Sequence, residues 1–213
     1  HCEKCLVGEL MLPVPMMMIK DQPTFNHLSE SILIRLGYPT ELILHSHDLI
    51  EAEQLLQQHL PNLILIDLCL DQPEKISFIR KIKKVHPDAH MIVVLAQQET
   101  SLLFAAIQAG VQGYIFYEHT EAEIFNHIKT ILRGGAPIHD ALAQYILSYQ
   151  LGFHQTQSTT KINQPIQLTA MENDILKLIS DGLSPQQVAQ QMTVALYKIE
   201  GHIKNIYQKI NYL

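Results

Sequence analysis

Short apolar runs alternate with amphipathic stretches between residues 14 and 135. Five of these runs are apolar at successive positions, which is typical of β-strands that are covered on both faces. They are Val14–Ile19, Leu42–His45, Leu63–Ile66, His90–Leu95 and Gly113–Phe116. The pattern therefore predicts a parallel sheet with helices packed against both of its faces.

Helical periodicity occupies the segments that follow the strands. Apolar residues recur there at spacings of three and four, which predicts amphipathic helices. The segments are Phe25–Leu36, Leu49–Leu60, Glu74–Val85, Leu102–Ala109 and Glu121–Arg133. Their apolar stripes are expected to be buried, up to Leu60 in the second segment and Val85 in the third. Successive strand–helix units predict an open, doubly wound α/β sheet, a fold that binds ligands at the carboxyl ends of its strands.

The pattern changes after Gly134-Gly135. A short helix is predicted at His139–Tyr149, and the polar stretch Gly152–Pro165 is typical of an interdomain linker. Capping residues then predict three further helices, at Ala170–Ser180, Pro185–Met192 and Ala195–Tyr212. The predicted organisation is a tail (1–13), an α/β domain (14–135), a helix and linker (136–165), and a helix-turn-helix domain (166–213).

The last predicted helix has a candidate nucleic-acid face. Its apolar stripe, formed by the isoleucines at 199, 203, 206 and 210, identifies the side that faces the core. Cations and amides that lie away from this stripe are suited to contact phosphates and base edges. The candidate DNA-contacting residues are Lys198, His202, Lys204, Asn205 and Lys209. Ordinary solvated surface is the alternative for the same lysines.

The charge limits where nucleic acid can bind. A net charge of −6 excludes a protein that is basic throughout, so any DNA-binding surface must be local. Residues 16–135 carry 14 acidic and 9 basic side chains, whereas residues 160–213 carry 4 and 5. Only the C-terminal part has a net positive charge, and this charge is small.

Other motifs add little. Three cysteines are too few for a disulfide framework and favour a reducing, cytoplasmic setting. The longest apolar run, Leu6–Ile19, is too short and too interrupted to span a membrane. The Cys2-Glu3-Lys4-Cys5 motif lacks a second ligand pair for zinc and is interpreted as part of a tail. No glycine-rich phosphate loop or Ser-His-Asp order is found, so we do not expect an enzyme.

The segment LTAMENDILKLISDGLSPQQVAQQMTVALYKIEGHIKNIYQKI resembles the LuxR/NarL-type helix-turn-helix of transcriptional regulators. The resemblance implies DNA binding. It departs from the family where DNA is read: Glu200 replaces a lysine, and Gln190-Gln191 replaces an arginine-rich pair. Each lost phosphate contact lowers the affinity for DNA, so we expect weak binding that depends on a dimer or a partner.

The α/β part resembles the receiver domain of two-component response regulators, which implies a flavodoxin-like sheet of five strands. The resemblance places the phosphoacceptor at Asp67, in PNLILIDLCL, and a Mg²⁺ site at Asp21 and Asp67. Three other family positions are changed. An acid is replaced by Lys20, the switch Ser or Thr by Ala96, and the phosphoryl-binding lysine by Tyr117.

These changes predict a degenerate receiver that does not use ordinary Mg²⁺-dependent phosphorylation. We expect Lys20 to supply, near Asp21 and Asp67, the positive charge that the metal supplies in the family. Three alternatives stay open: relic acids on a solvated loop, residual Mg²⁺-dependent phosphorylation at Asp67 by a histidine kinase, and a small anionic ligand in the pocket. No cofactor is expected unless phosphorylation persists.

Taken together, the sequence predicts a cytoplasmic transcriptional regulator that binds DNA through its helix-turn-helix and is controlled by an atypical receiver domain. The resemblance implies a homodimer through residues 99–133, although the aromatic residues Tyr114, Phe116 and Tyr117 near this face are more typical of core. The alternative function is a protein-interaction module that forms a heterodimer with another regulator and has lost most of its DNA binding.

Overall fold

Five parallel strands form one sheet in the order β2-β1-β3-β4-β5. The computed structural model describes residues 14–20, 30–68, 73–152 and 165–213. The strands are β1 (Met16–Ile19), β2 (Ile43–Ser46), β3 (Leu63–Asp67), β4 (His90–Leu95) and β5 (Gly113–Phe116). Every neighbouring pair is parallel, as the apolar runs predict. The predicted fold is confirmed.

Helices connect the strands and continue beyond the sheet. The described helices are α1 (Glu30–Arg35), α2 (Leu49–Gln58), α3 (Pro73–Val85), α4 (Thr100–Ala109), α5 (Glu121–Leu132), α6 (Asp140–Gln150), α7 (Ala170–Ser180), α8 (Pro185–Met192) and α9 (Leu196–Asn211). A 3-10 turn, Thr40–Leu42, precedes β2. The tail 1–13, most of the linker and the start of the helix predicted from Phe25 lie outside the described residues.

One helix ends earlier than its periodicity predicts, and two apolar residues at helix ends are exposed instead of buried. The helix predicted to reach Leu60 ends at Gln58, and the Leu60 side chain is 74% exposed instead of buried. Val85 is the last residue of α3 and is also exposed, against the prediction. Helical periodicity cannot bury a side chain at or beyond the helix end, because no neighbouring turn directs it onto the sheet.

The three C-terminal helices form a helix-turn-helix. Thr169 caps α7 and Ser184 caps α8, each in a reciprocal capping box. The turn into α9 passes through Thr193, which has a left-handed φ of 56°. All four isoleucines of the predicted α9 stripe have 0% exposure, so the core face of this helix is predicted correctly.

The helix-turn-helix packs against the α/β domain. Helix α6 contacts α7, and α9 contacts α4, so one continuous set of buried side chains includes residues of both domains. The Tyr207 hydroxyl donates to the Pro137 carbonyl oxygen at 2.5 Å, and the Asn211 amide donates to the Gln108 carbonyl oxygen at 2.8 Å. The recognition helix of the motif is therefore docked on the domain that precedes it.

Candidate receiver pocket and nucleic-acid interface

The candidate phosphoacceptor lies where the strands of the sheet end. Asp67 is the last residue of β3, Ala96 follows β4, and Tyr117 follows β5. Lys20 follows β1 at the same edge. Because all the strands are parallel, their carboxyl ends bring these predicted residues to one side of the sheet. Asp21 lies outside the described residues.

Asp67 is buried, with 1% exposure. This excludes the alternative that it stands on a solvated loop. The Tyr117 hydroxyl donates a hydrogen bond to Asp67 Oδ1, so the residue that replaces the family lysine contacts the phosphoacceptor position directly. A buried carboxylate needs such donors, since an uncompensated charge in the core is costly.

A buried lysine that the sequence analysis does not name, Lys75, contacts the backbone of the phosphoacceptor position. Its ammonium donates to the Asp67 carbonyl oxygen at 2.6 Å, and the side chain is 2% exposed. Lys20 instead lies near His45, where its charge adds to the burial that lowers the pKa of this imidazole. The ion pairs between described residues do not include one between Lys20 and Asp67.

The sequence contains a pattern that indicates the burial of Lys75. It occupies the apolar stripe of α3 together with Phe78, Ile79 and Ile82, at spacings of three, four and seven. A lysine within such a stripe is buried only if its ammonium finds a partner. The stripe thus indicates a cation at the sheet edge, although not which carboxylate it approaches.

The described residues supply one carboxylate, Asp67, to the predicted Mg²⁺ site, and the other predicted ligand, Asp21, lies outside them. Magnesium prefers an octahedral shell of oxygens that includes carboxylates. Among residues 14–20, 30–68, 73–152 and 165–213, no group of three or more His, Cys, Asp or Glu side chains could hold a metal ion. One oxygen of Asp67 accepts from Tyr117, and the Lys75 ammonium is close to the backbone of the same residue.

The outer face of α9 exposes part of the predicted DNA-contacting set. Tyr197, Lys198 and Asn205 are exposed, and His202 is half-buried. Helix α8 crosses behind α9 and packs Val188 and Ala189 into the core. One cation, one amide and one phenol are thus exposed on a helix of 16 residues.

Lys209 has a partner inside its own domain. Its ammonium lies 2.6 Å from Oε2 of Glu172, a carboxylate with only 3% side-chain exposure. Glu172 also closes the capping box of α7 by accepting from the Thr169 backbone N–H. Lys209 therefore balances a buried charge that ties α9 to α7.

Lys204 and Glu200 face the α/β domain. Glu200 Oε1 lies 3.0 Å from the Arg133 guanidinium, and the Lys204 ammonium approaches Gly134. The carboxylate that replaces a family cation thus pairs with an arginine of the α/β domain. Tyr207, on the same side of α9, is buried with 4% exposure.

The predicted dimer face is only partly exposed. Helix α4 is covered by α6 and α9, and Tyr114 and Phe116 are buried in the core, as their aromatic character favours. Helix α5 keeps an exposed side that includes Glu121, Ala122 and Asn126. In this docked arrangement, α5 is the part of residues 99–133 that is open to a second copy.

Three histidines surround Tyr114 behind β5. The Tyr114 hydroxyl lies 2.6 Å from Nδ1 of His139, His127 Nδ1 donates to the Tyr114 carbonyl oxygen, and the Phe116 N–H donates to His119 Nδ1. Burial lowers the pKa of His119 and that of His139 to about 4, and it also lowers the pKa of His127. The cluster joins β5, α5 and the start of α6 through neutral imidazoles.

Comparison with known proteins identifies the family. Residues 16–129, more than half of the chain, match the model of the response regulator receiver domain. The chain belongs to the response regulator receiver family. Residues 166–212 match the model of bacterial regulatory proteins of the luxR family, so this response regulator carries a LuxR-type domain behind its receiver domain. Both families consist of regulators rather than enzymes.

Known proteins are similar to this response regulator over different shares of its length. The oxygen regulatory protein NreC of Staphylococcus carnosus is 24% identical over 183 residues, which cover 85% of this chain and 84% of NreC. A LuxR-family two-component response regulator from Aurantimonas sp. SI85-9A1 superposes with a TM-score of 0.50 and 24% identity, over 65% of this chain and 99% of that one. A structure of two RcsB dimers bound to two parallel DNAs superposes with a TM-score of 0.50 and 14% identity, over 93% and 92%.

The described helices contain no segment that is long and apolar enough to cross a membrane.

Proposed function

We propose that this response regulator binds duplex DNA through α9, which enters the major groove while α8 supports it. The observation that carries the proposal is the exposure of Lys198, Asn205 and Tyr197 on α9, which follows the two capped helices α7 and α8. Amides can contact base edges and lysines can neutralise phosphates on such a face. His202, Lys204 and Lys209 remain predicted contacts.

We expect the binding to be weak for a single copy. Gln190, Gln191 and Glu200 supply no positive charge, and Lys209 already pairs with Glu172. Each phosphate contact contributes about 0.9 to the slope of log affinity against log salt, so a small number of contacts gives a shallow slope. Two copies on a two-fold site would double the contacts, and the RcsB structure above has dimers on DNA.

We also propose that the Asp67 pocket is regulated without ordinary Mg²⁺-dependent phosphorylation. Tyr117 occupies the position of the family lysine and donates to Asp67, while the buried Lys75 ammonium supplies a positive charge beside it. The phenol satisfies one oxygen of the carboxylate, and the ammonium is bound to the backbone carbonyl oxygen of the same residue. A histidine kinase partner is expected only if Asp67 still accepts a phosphoryl group.

DNA binding is tested by fluorescence anisotropy with a pool of short random duplexes at two salt concentrations. The full chain should bind with a salt-dependent affinity, and Lys198→Gln should weaken binding and lower the salt slope by about one. Lys84→Gln, on the exposed surface of α3, is the matched charge control. Binding that does not change with salt would contradict the proposal.

The state of the pocket is tested by thermal unfolding with Mg²⁺ and beryllofluoride, a phosphoryl mimic. The unfolding temperature of the wild-type chain should not change when both are present, whereas a family member with an intact site is stabilised by its ligand. Tyr117→Lys restores the family residue and serves as the comparison. Clear stabilisation of the wild type that Asp67→Asn abolishes would overturn the proposal.

One observation favours the alternative function, an interaction module that forms a heterodimer with another regulator. Lys204 and Glu200 face the α/β domain in the docked arrangement, so few positive charges remain on the exposed surface of α9. The two functions differ in one measurement. An interaction module would show no salt-sensitive DNA binding at any concentration at which the chain is dimeric.

A further inference from the structure

A cavity of about 240 Å³ lies between the receiver domain and α9. The receiver side contributes Lys83 at the end of α3, Asp88 in the loop that follows, and His90 at the start of β4. The other side contributes Lys204 of α9. The volume is large against the ~10–15 Å³ that a single water needs, and it is close to the lower end of ligand sites.

The charged groups around this interdomain cavity are mainly cationic, and neutral polar side chains such as Gln112 and Asn211 lie beside them. Two ammonium groups, Lys83 and Lys204, face a single carboxylate, Asp88. Arg133 and Glu200, which lie nearby, neutralise each other. Apolar side chains form much of the remaining wall, among them Pro87, Val111 and Ile131. A positive end and an apolar wall in one cavity suit an organic anion.

His90 is the one lining imidazole among the described residues, and its hydrogen bonding is incomplete. Its backbone N–H donates to the Asn62 carbonyl oxygen, but Nδ1 of the ring is buried and has no hydrogen-bond partner among the described residues. Burial lowers the pKa of His90, and the charges of Lys204 and Lys83 lower it further. Because Nδ1 is buried, a ligand in the cavity would meet the rest of the ring, which belongs to the cavity wall.

We propose that the interdomain cavity binds a small organic anion, an oxyanion head on a compact apolar body. The head is held by the ammonium groups of Lys83 and Lys204 and by the His90 ring, and the body lies against the apolar wall. Charge-assisted hydrogen bonds from two ammonium groups to one oxyanion are among the stronger polar interactions in proteins. The site is separate from the Asp67 pocket at the strand ends, since His90 lies at the opposite end of its strand.

The site couples the two domains. A ligand that contacts Lys83 and His90 on one side and Lys204 on the other binds only when the domains are docked, and so it stabilises that arrangement. Lys204 is then held away from DNA. By linkage, the anion and DNA weaken each other's binding. This consequence rests on the proposed DNA-binding function, whereas the site itself does not.

The direct test is a titration of the full chain with phenyl phosphate, followed by the NMR signals of the His90 ring. His90→Gln identifies these signals. We expect saturable binding with one site, movement of the His90 signals, and a rise of the His90 pKa because the anion offsets the two lysines. Inorganic phosphate should bind more weakly because it lacks the body, and benzyl alcohol should not bind because it lacks the charge.

Two variants on opposite sides of the cavity keep the test independent of folding. Lys83→Met and Lys204→Met retain the aliphatic stems and lose the charges, and each should weaken phenyl phosphate binding about tenfold or more. Lys84→Met, next in sequence and exposed, is the matched control and should bind like the wild type. Circular dichroism checks that all three variants are folded.

The outcomes separate the site from its role. Unmoved His90 signals at millimolar phenyl phosphate, or equal loss in Lys84→Met, would overturn the site. If the site binds but phenyl phosphate does not weaken DNA binding in the anisotropy experiment, the coupling is wrong while the site stands. If the chain binds no DNA at all, only the proposed function fails, because the NMR titration needs no DNA.

Discussion

At the scale of single residues, the receiver pocket is defined by the groups that compensate Asp67. The family position of a lysine holds Tyr117, whose hydroxyl donates to the carboxylate, and Lys75 brings an ammonium from the neighbouring helix. The buried carboxylate thus has a hydrogen-bond donor in Tyr117, and its backbone carbonyl oxygen has one in Lys75. A phenol is a neutral donor, so it compensates a carboxylate but cannot pair with the additional charges of a phosphoryl group as an ammonium does.

Tyr117→Phe tests how much Asp67 depends on the phenol. The variant removes one donor to a buried carboxylate and keeps the ring, so the free energy of unfolding should fall by about 1–3 kcal/mol. Urea unfolding measures the change. Tyr197→Phe is the control, because Tyr197 is 70% exposed and its loss should change stability by less than about 0.5 kcal/mol. Equal effects of the two variants would show that the contact with Asp67 contributes nothing.

At the scale of elements, α9 serves two purposes that the sequence pattern does not distinguish. Lys198 and Lys209 are both cations on its polar side, but Lys198 is exposed and Lys209 pairs with the buried Glu172. The first is available to DNA and the second holds α9 on α7. The periodicity of a helix indicates the direction of a side chain, but not what the neighbouring helix offers it.

Comparing Lys198→Met with Lys209→Met separates these purposes. Lys209→Met leaves a buried carboxylate without its cation, so the free energy of unfolding should fall by about 2–4 kcal/mol. Lys198→Met should leave stability nearly unchanged and lower DNA affinity. Chemical unfolding and anisotropy on the same samples measure both. If Lys209→Met weakens DNA binding without destabilising the chain, Lys209 is a DNA contact rather than a structural group.

The histidine cluster gives β5, α5 and α6 a shared dependence on pH. Burial lowers the pKa of His119 and that of His139 to about 4, whereas an unfolded imidazole titrates near 6.5. Between these values the unfolded chain binds more protons than the folded chain, so stability falls as the pH falls. The unfolding temperature should be lower at pH 5 than at pH 7.5 by on the order of 5 °C.

His119→Asn should reduce this pH dependence, because the amide oxygen can accept from the Phe116 N–H without titrating. The exposed His59 provides the control, and His59→Asn should keep the wild-type profile. Scanning calorimetry at several pH values measures all three proteins. A wild-type unfolding temperature that is constant from pH 7.5 to pH 5 would exclude the cluster as a source of acid sensitivity.

The helices and strands could largely be predicted from the sequence, while the side-chain contacts between them could not. The apolar runs predict the first and last residues of β4 and β5 correctly, and the isoleucine stripe predicts which face of α9 is buried. The predicted burial of Leu60 and of Val85 is wrong, because the apolar periodicity continues to the last residue of one helix and beyond the end of the other. The contact of Lys75 with Asp67 and that of Arg133 with Glu200 depend on three-dimensional packing, which local patterns do not specify.

At the scale of the whole molecule, the receiver domain and the LuxR-type domain are packed as one body. Tyr207 reaches Pro137 over 70 residues of chain, and Asn211 reaches Gln108 over 103. The same side of α9 carries Lys204 and Glu200, so docking competes with any role of that side in DNA binding. The helix-turn-helix is therefore expected to bind DNA best when it is released from the receiver domain.

Arg133→Gln tests this competition without altering the DNA-binding face. Arg133 belongs to the receiver domain and pairs with Glu200, and the two side chains are 50% and 13% exposed. Such a partly exposed pair is worth about 0.2–1 kcal/mol, so its loss should release α9 and raise the apparent DNA affinity by roughly two- to fivefold.

Arg80→Gln removes the same charge from an exposed position of the same domain and serves as the control. If the arginines act only through general attraction to phosphate, both variants weaken DNA binding equally, since each loses one cation. Tighter binding by Arg133→Gln together with unchanged or weaker binding by Arg80→Gln is expected only when the contact with Glu200 restrains α9. The opposite order would mean that docking and DNA binding do not compete.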